Sequence, residues 1–194
     1  MAISSVAGSW AENQETVLIR LLDSDQVGGP SLLDAEAVAA KVLASDGFRV
    51  RWQDGDLPAR SKSATGGDTI HPAAETMDIR LVYSTPPGKK PSALAEALPF
   101  AQRGVRVTVF FDRVAALAGH DPLFTPRILG HVLAHEIGHV LRGTDLHSET
   151  GVMKAHWDGA DYCTMRAKGL KFAREDAAAM SSYLTQVQVR PARR

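Results

Sequence analysis

His135, Glu136 and His139 are the side chains whose types and spacing carry the most chemistry in this chain. In His135-Glu136-Ile137-Gly138-His139, two imidazoles stand four residues apart with a carboxylate beside the first. On a helix, positions i and i+4 lie one above the other on the same face, so both rings can grip one metal ion. The adjacent glutamate can then reach a water on that metal. Two ligands and a general base within five residues is the zinc-hydrolase pattern.

A tetrahedral ion needs a further protein ligand and, for catalysis, an open position for water. That ligand must come from after the helix, where the chain can turn back. His147 lies eight residues after His139, just beyond a break at Gly143, and Asp145 lies six after it. Glu175, in the last predicted helix, and Asp161 are more distant carboxylate candidates. His131 extends the histidine stripe one turn upstream. Rings on three successive turns spread over ~12 Å, too far for one ion, so His131 is expected to support or pack. His71, His120 and His156 have no supporting constellation and read as surface residues, with His156, beside Trp157, the exception to check.

The surrounding elements follow from apolar periodicity. Residues 16–22 (TVLIRLL) form a β-branched and aliphatic run expected of a strand buried on both faces. A Gly-Gly-Pro break follows, and Ser31 with Asp34 resembles a capping box opening a helix through Ala44. Residues 48–52 alternate as a second strand, so strand, helix and strand make a crossover unit with parallel strands. Residues 54–74 read as a long polar loop, 77–83 as a third strand, and 105–111 as a strand. Residues 93–100 remain open between helix and edge strand. Asp112 is a candidate cap for a short helix through Ala118. Thr125-Pro126 opens the histidine helix with a hydroxyl N-cap and a first-turn proline. Residues 144–169 show little periodicity, and an amphipathic helix follows over about 172–184.

The segment HEIGHVLRGTDLHSETGVM resembles the metzincin zinc-peptidase signature, HExxHxxGxxH followed by a methionine-containing turn. The glycine is one residue late, with Arg142 in its place, and the histidine is two residues late. Asp145 holds the strict third-ligand spacing. The run His147-Ser148-Glu149-Thr150-Gly151-Val152-Met153 is similar to a group of bacterial predicted metzincins with this longer spacing. The resemblance therefore favours His147 over Asp145 as third ligand, and Met153 as the hydrophobic floor of a Met-turn. Where the family often has a tyrosine, two residues after the methionine, this chain has Ala155, and Tyr162 is the candidate to loop back.

The resemblance further implies a mixed α/β (α+β) fold. It would have a twisted, mostly parallel sheet of four to five strands, a long first helix, a zinc-binding active-site helix and a C-terminal helix. Residues 15–187 would form a single catalytic domain, between a flexible segment 1–14 and a basic tail 188–194. Residues 93–100 would be the edge strand that pairs with extended substrate. The implied function is a zinc metallopeptidase, a Zn2+-dependent hydrolase of peptide bonds. His135, His139 and His147 are its metal ligands, Glu136 is its catalytic base, and a zinc-bound water is its nucleophile. The rivals are a zinc amidohydrolase of a non-peptide amide, a structural zinc protein and a metal-free α/β domain.

Composition is compatible with one domain. Of 194 residues, 22 are basic and 22 acidic, so no net field favours nucleic acid or an anionic membrane, and the expected partner is a peptide or protein substrate. Cys163 is the only cysteine, which leaves no intrachain disulfide. No apolar run approaches a membrane span. Residues 1–14 lack the pattern of a signal peptide, so the expected location is cytoplasmic, or secreted or periplasmic if a signal was removed.

Overall fold

The computed structural model describes residues 16–23, 29–54, 76–100 and 105–189. The segment 1–14, most of the polar loop at 54–74 with His71, and the C-terminal arginines lie outside them. The frame begins with β1 (Thr16–Asp23), α1 (Gly29–Ala44), β2 (Arg49–Asp54) and β3 (Met77–Val82). Then follow β4 (Ala95–Ala97), β5 (Val105–Phe110) and α2 (Phe111–Leu117). The chain continues through α3 (Thr125–Arg142), α4 (Gly159–Ala167) and α5 (Arg174–Val189). The strands form one sheet in the order β2-β1-β3-β5-β4, parallel except for β4, which runs antiparallel to β5.

Alternation along the strands decides which face carries the helices. Leu21 sits opposite Ile79, Ile79 opposite Val107 and Leu81 opposite Val109. All of these side chains are buried. They form apolar rows in one core with residues of α1 and α3, whose mutual packing is the most extensive between elements. On the opposite face of the central row, Arg20 and Asp78 are register partners joined by two contacts of 2.9 and 2.6 Å. The frame and chain order expected from the sequence are thus the observed ones. The open segment 93–100 contains a short edge strand, β4, with Pro99 just beyond it.

Several local expectations are corrected. Helix α1 starts at Gly29, so Ser31 lies inside it. The N-cap of α3 is Phe124, without a side-chain cap bond, because the Thr125 hydroxyl donates to the Asp121 carbonyl instead. Asp112 lies within α2, and its carboxylate accepts from the amide and hydroxyl of Thr85. Helix α4 interrupts a region with little periodicity. Its signal is a capping box, Asp158 with Asp161, and not an apolar stripe. No described helix is long and apolar enough to cross a membrane.

Helix α3 is buried from Thr125 through Leu141, apart from Arg127. It can lie so deep because Gly130 faces α1. A Cβ there would come 2.5 Å from the Val38 Cβ and 2.7 Å from the Ala35 carbonyl oxygen. Gly130→Ala gains about 1 kcal/mol of helix propensity, but both obstacles are anchored to backbone and cannot swing away. Overpacking wins, and the substitution is expected to lower stability by about 1–3 kcal/mol. Denaturant unfolding measures this, and a variant as stable as the parent would contradict the close α1–α3 crossing.

Candidate metal centre

One helix presents His131, His135, Glu136 and His139, all buried. Gly143 ends it in the left-handed region, φ 60°, where a side chain is disfavoured. That turn sends the chain back over the helix. The ring of His147 then comes 4.8 Å from that of His139 and 5.3 Å from that of His135, between centroids. Ligand atoms of His135, His139 and His147 all lie within 4.8 Å of one another. Among the described residues they are the one group of three or more histidine, cysteine or acidic side chains gathered in this way. Asp145, Asp161 and Glu175 stay outside the cluster. Asp161 is committed to the α4 cap and to Lys154, and Glu175 is exposed on α5.

Hydrogen bonds to backbone fix the tautomers of the helical pair. His135 Nδ1 lies 2.7 Å from the Val152 carbonyl oxygen, and His139 Nδ1 lies 3.0 Å from that of Thr144. A carbonyl only accepts, so each Nδ1 carries the proton and each Nε2 keeps a bare lone pair. The two Nε2 atoms are 3.0 Å apart and buried. Two acceptors this close cannot satisfy one another. Two nitrogens each ~2.1 Å from one zinc at the tetrahedral angle lie about 3.4 Å apart, so the residues present fit a cation. His131 differs in just this respect. Its Nδ1 donates to the Arg127 carbonyl at 2.7 Å, and its Nε2 accepts from the Leu170 amide at 2.9 Å. Both nitrogens are used by the protein, so His131 ties α3 to the chain before α5, in line with the supporting role expected of it.

Burial tunes the charges. It pushes His135 down to about 3, helped by neighbouring His139, His147 and Arg142 and opposed by the Val152 bond. His139 is pushed down to about 4, again chiefly by burial, and His147 is lowered for the same reason. All three imidazoles are neutral at pH 7, the form that binds metal. Glu136 moves the other way. Burial and then Glu96 on the neighbouring β4 raise its carboxyl to about 8.

The turn below the cluster was only partly foreseen. Met153 is fully buried, and its sulfur packs so closely on Gly138 that a Cβ there would lie 2.6 Å from it. The Val152 carbonyl takes a second donor, Trp157 Nε1, at 3.2 Å, and the indole stands edge-on to His135. The sequence marks Trp157 only as a neighbour of His156. Its role depends on a backbone oxygen that no motif encodes. Tyr162 lies on α4, its hydroxyl raised by burial and by Asp161 and Asp158, and no contact brings it to the histidines. His120 and His156 are exposed.

Comparison with solved structures gives the archaemetzincin of Methanopyrus kandleri, with a TM-score of 0.54 over 91% of this chain and 99% of that one, at 18% identity. The fold is that of archaemetzincin. No family model matches the sequence, and neither does any curated protein. At this identity the likeness concerns the fold: a five-stranded, mostly parallel sheet with five helices.

The raised Glu136 carboxyl has a consequence for metal-free protein. Unfolded, it ionises near 4.5; folded, near 8. Between these values the folded state holds one proton more, so stability falls as pH rises through the window, by at most about 1.4 kcal/mol per pH unit. Glu136→Gln lacks this proton. In chelator, its stability relative to the parent is therefore expected to climb from pH 5 to pH 8. Parallel stability curves for the two proteins over that range would show that Glu136 is not buried as described.

Proposed function

We propose that this chain is a zinc-dependent hydrolase of peptide bonds, a metalloendopeptidase, with His135, His139 and His147 as metal ligands and Glu136 as general base. The observation that carries the reading is the pair of bare Nε2 lone pairs held 3.0 Å apart by two backbone carbonyls, with a third imidazole against them. Three protein donors suit a catalytic zinc, which keeps a position open, better than a structural zinc with four. The fold shared with archaemetzincin supports the same reading. The buried Met153 beneath Gly138 supports a Met-turn, packed as a floor under the helix between the two ligand positions.

Zinc in this site would supply Lewis acidity, acidifying a water and polarising a scissile carbonyl. The work of the protein is to orient and to move protons. The Val152 and Thr144 carbonyls hold the helical imidazoles in one tautomer and one rotation, the usual way a second layer of contacts sharpens a metal site. A cation nearby favours the ionised form of Glu136, which burial and Glu96 otherwise keep protonated at neutral pH. The Glu136 carboxylate then takes the proton of the attacking water and returns it to the departing amine.

An open sheet edge supports the reading that the substrate is extended. Strand β4 ends the sheet, bonded on one side to β5 and on the other to no strand among the described residues. It packs against α3, the helix of the histidines. Arg113 secures the approach to β4 by donating to the Lys90 and Ala93 carbonyls, and Lys89 pairs with Glu96 at 2.6 Å. A peptide adding as a further strand would lie across the cluster by main-chain hydrogen bonding, and this favours peptides over small amides.

Glu136→Gln is expected to bind one zinc per chain while hydrolysis of a peptide library falls by about 10²–10⁴-fold. Full turnover in that variant would exclude Glu136 as the base. His147→Ala should lose far more zinc affinity than Asp145→Ala, measured by chelator competition. The reverse ranking would transfer the third position to Asp145.

A further inference from the structure

We propose that Arg142, Asp176 and Ser148 form a clamp that positions His147 over the helical pair, an inference that rests on the reading of His147 as a zinc ligand. The difficulty the clamp resolves is geometric. His147 sits in coil, its neighbour Leu146 is 67% exposed and Asp145 is also exposed, so apolar packing does not fix this stretch. Polar ties hold both sides of it instead. Arg142 Nη1 donates to the Leu146 carbonyl at 2.9 Å. On the other side the Ser148 hydroxyl donates to Asp176 Oδ1 at 2.6 Å.

The two anchors are themselves an ion pair. Arg142 Nη1 lies 3.4 Å from Asp176 Oδ1, with side chains only 11% and 2% exposed. The residues on either side of His147 are therefore fastened to the two members of one buried pair. Each anchor stands on a helix: Arg142 is the last residue of α3, and Asp176 is in the first turn of α5, where the helix terminus favours a carboxylate. These helices pack on one another. The Ser148 amide, bonded to the Met153 carbonyl at 2.8 Å, closes the loop from below.

Arginine–carboxylate pairs are frequently two-pronged. Here Arg142 Nε and Asp176 Oδ2 are buried without hydrogen bonds, while Arg142 Nη1 and Asp176 Oδ1 serve the loop. Arg142 also stands where the metzincin signature has its glycine. The residue that breaks the pattern is the one that holds the displaced histidine loop.

The test is the zinc affinity of the full chain by chelator competition, with the melting temperature of the metal-free protein measured alongside. Ser148→Ala deletes only a hydroxyl and should weaken zinc about fivefold with little change in melting temperature. Asp176→Ala should weaken it about 10–100-fold. The double variant should be no weaker than Asp176→Ala alone, since both remove one shared hydrogen bond. In a His147→Ala background, either substitution should leave the residual affinity unchanged. Equal losses in both backgrounds would indicate a merely structural role and overturn the clamp. Should Asp176→Ala fail to fold, Ser148→Ala decides the matter, and unchanged affinity there overturns the proposal. A parent protein that binds no zinc, or a His147→Ala variant that binds as tightly as the parent, removes the ligand reading and the clamp with it. A tight parent and a weak His147→Ala variant, with Ser148→Ala and Asp176→Ala both unaltered, remove the clamp alone.

Discussion

A helix buried along almost its whole length carries two imidazoles whose outer nitrogens face each other, and the structure around it is arranged to hold that arrangement. Burying polar side chains without partners is costly, roughly 1–3 kcal/mol for each unmet group. Here the cost is met on one side of each ring only, by the carbonyls of Val152 and Thr144. Those oxygens are available because of what the chain does after Arg142. The left-handed turn at Gly143 presents Thr144, and the loop that returns through Met153 presents Val152. The Val152 amide is in turn bonded to the Lys171 carbonyl, one residue from the Leu170 amide that His131 accepts. The contacts of His131 and His135 are thus linked through the chain before α5.

Packing imposes a second requirement, close approach. Gly130 lets α1 lie against α3, and Gly138 lets the Met153 sulfur and the Phe172 ring press on the helix between the histidines. Gly151 is under a similar demand: its φ is 74°, and a Cβ there would collide with the Lys171 carbonyl. A side chain at any of these points would move the floor or the wall of the cluster while leaving its histidines in the sequence.

The parts of this fold that were legible in the sequence are those governed by local periodicity. The runs at 16–22 and 105–111 and the apolar stripe of α3 each bury a face against a common core, so burial wrote itself into the residue order. Helix α4 escaped because it buries only Met165 fully and is held by a cap and not by a stripe. Thr125 and Asp112 misled because hydroxyl and carboxylate groups were captured by partners four and 27 residues away. The histidine pair was legible because i, i+4 spacing is itself local geometry. The approach of His147 was legible only through the resemblance, since Asp145 holds the strict spacing, and the geometry that brings the His147 ring to the pair depends on a turn, a loop closure and contacts from α5. The carbonyls that orient the rings carry no side-chain signature at all.

Burial acts on the acid and the bases of this site with opposite signs and one result. It lowers the histidines and raises Glu136, so at neutral pH every one of them is uncharged before a cation arrives. The three buried members, His135, Glu136 and His139, need no counter-ion inside the fold when uncharged, and this is how their burial is compatible with an apolar core. The arrangement is also asymmetric towards a cation. Neutral imidazoles need lose nothing to bind it, whereas Glu136 must surrender a proton, and its ionised form is then stabilised by the charge that displaced it. On the proposed reading, Glu136 becomes a base only when the ion is present. Until then the low polarity around α3 would hold it in reserve, so the burial that makes the helix a stable core element would also couple metal binding to the charge of the residue beside it.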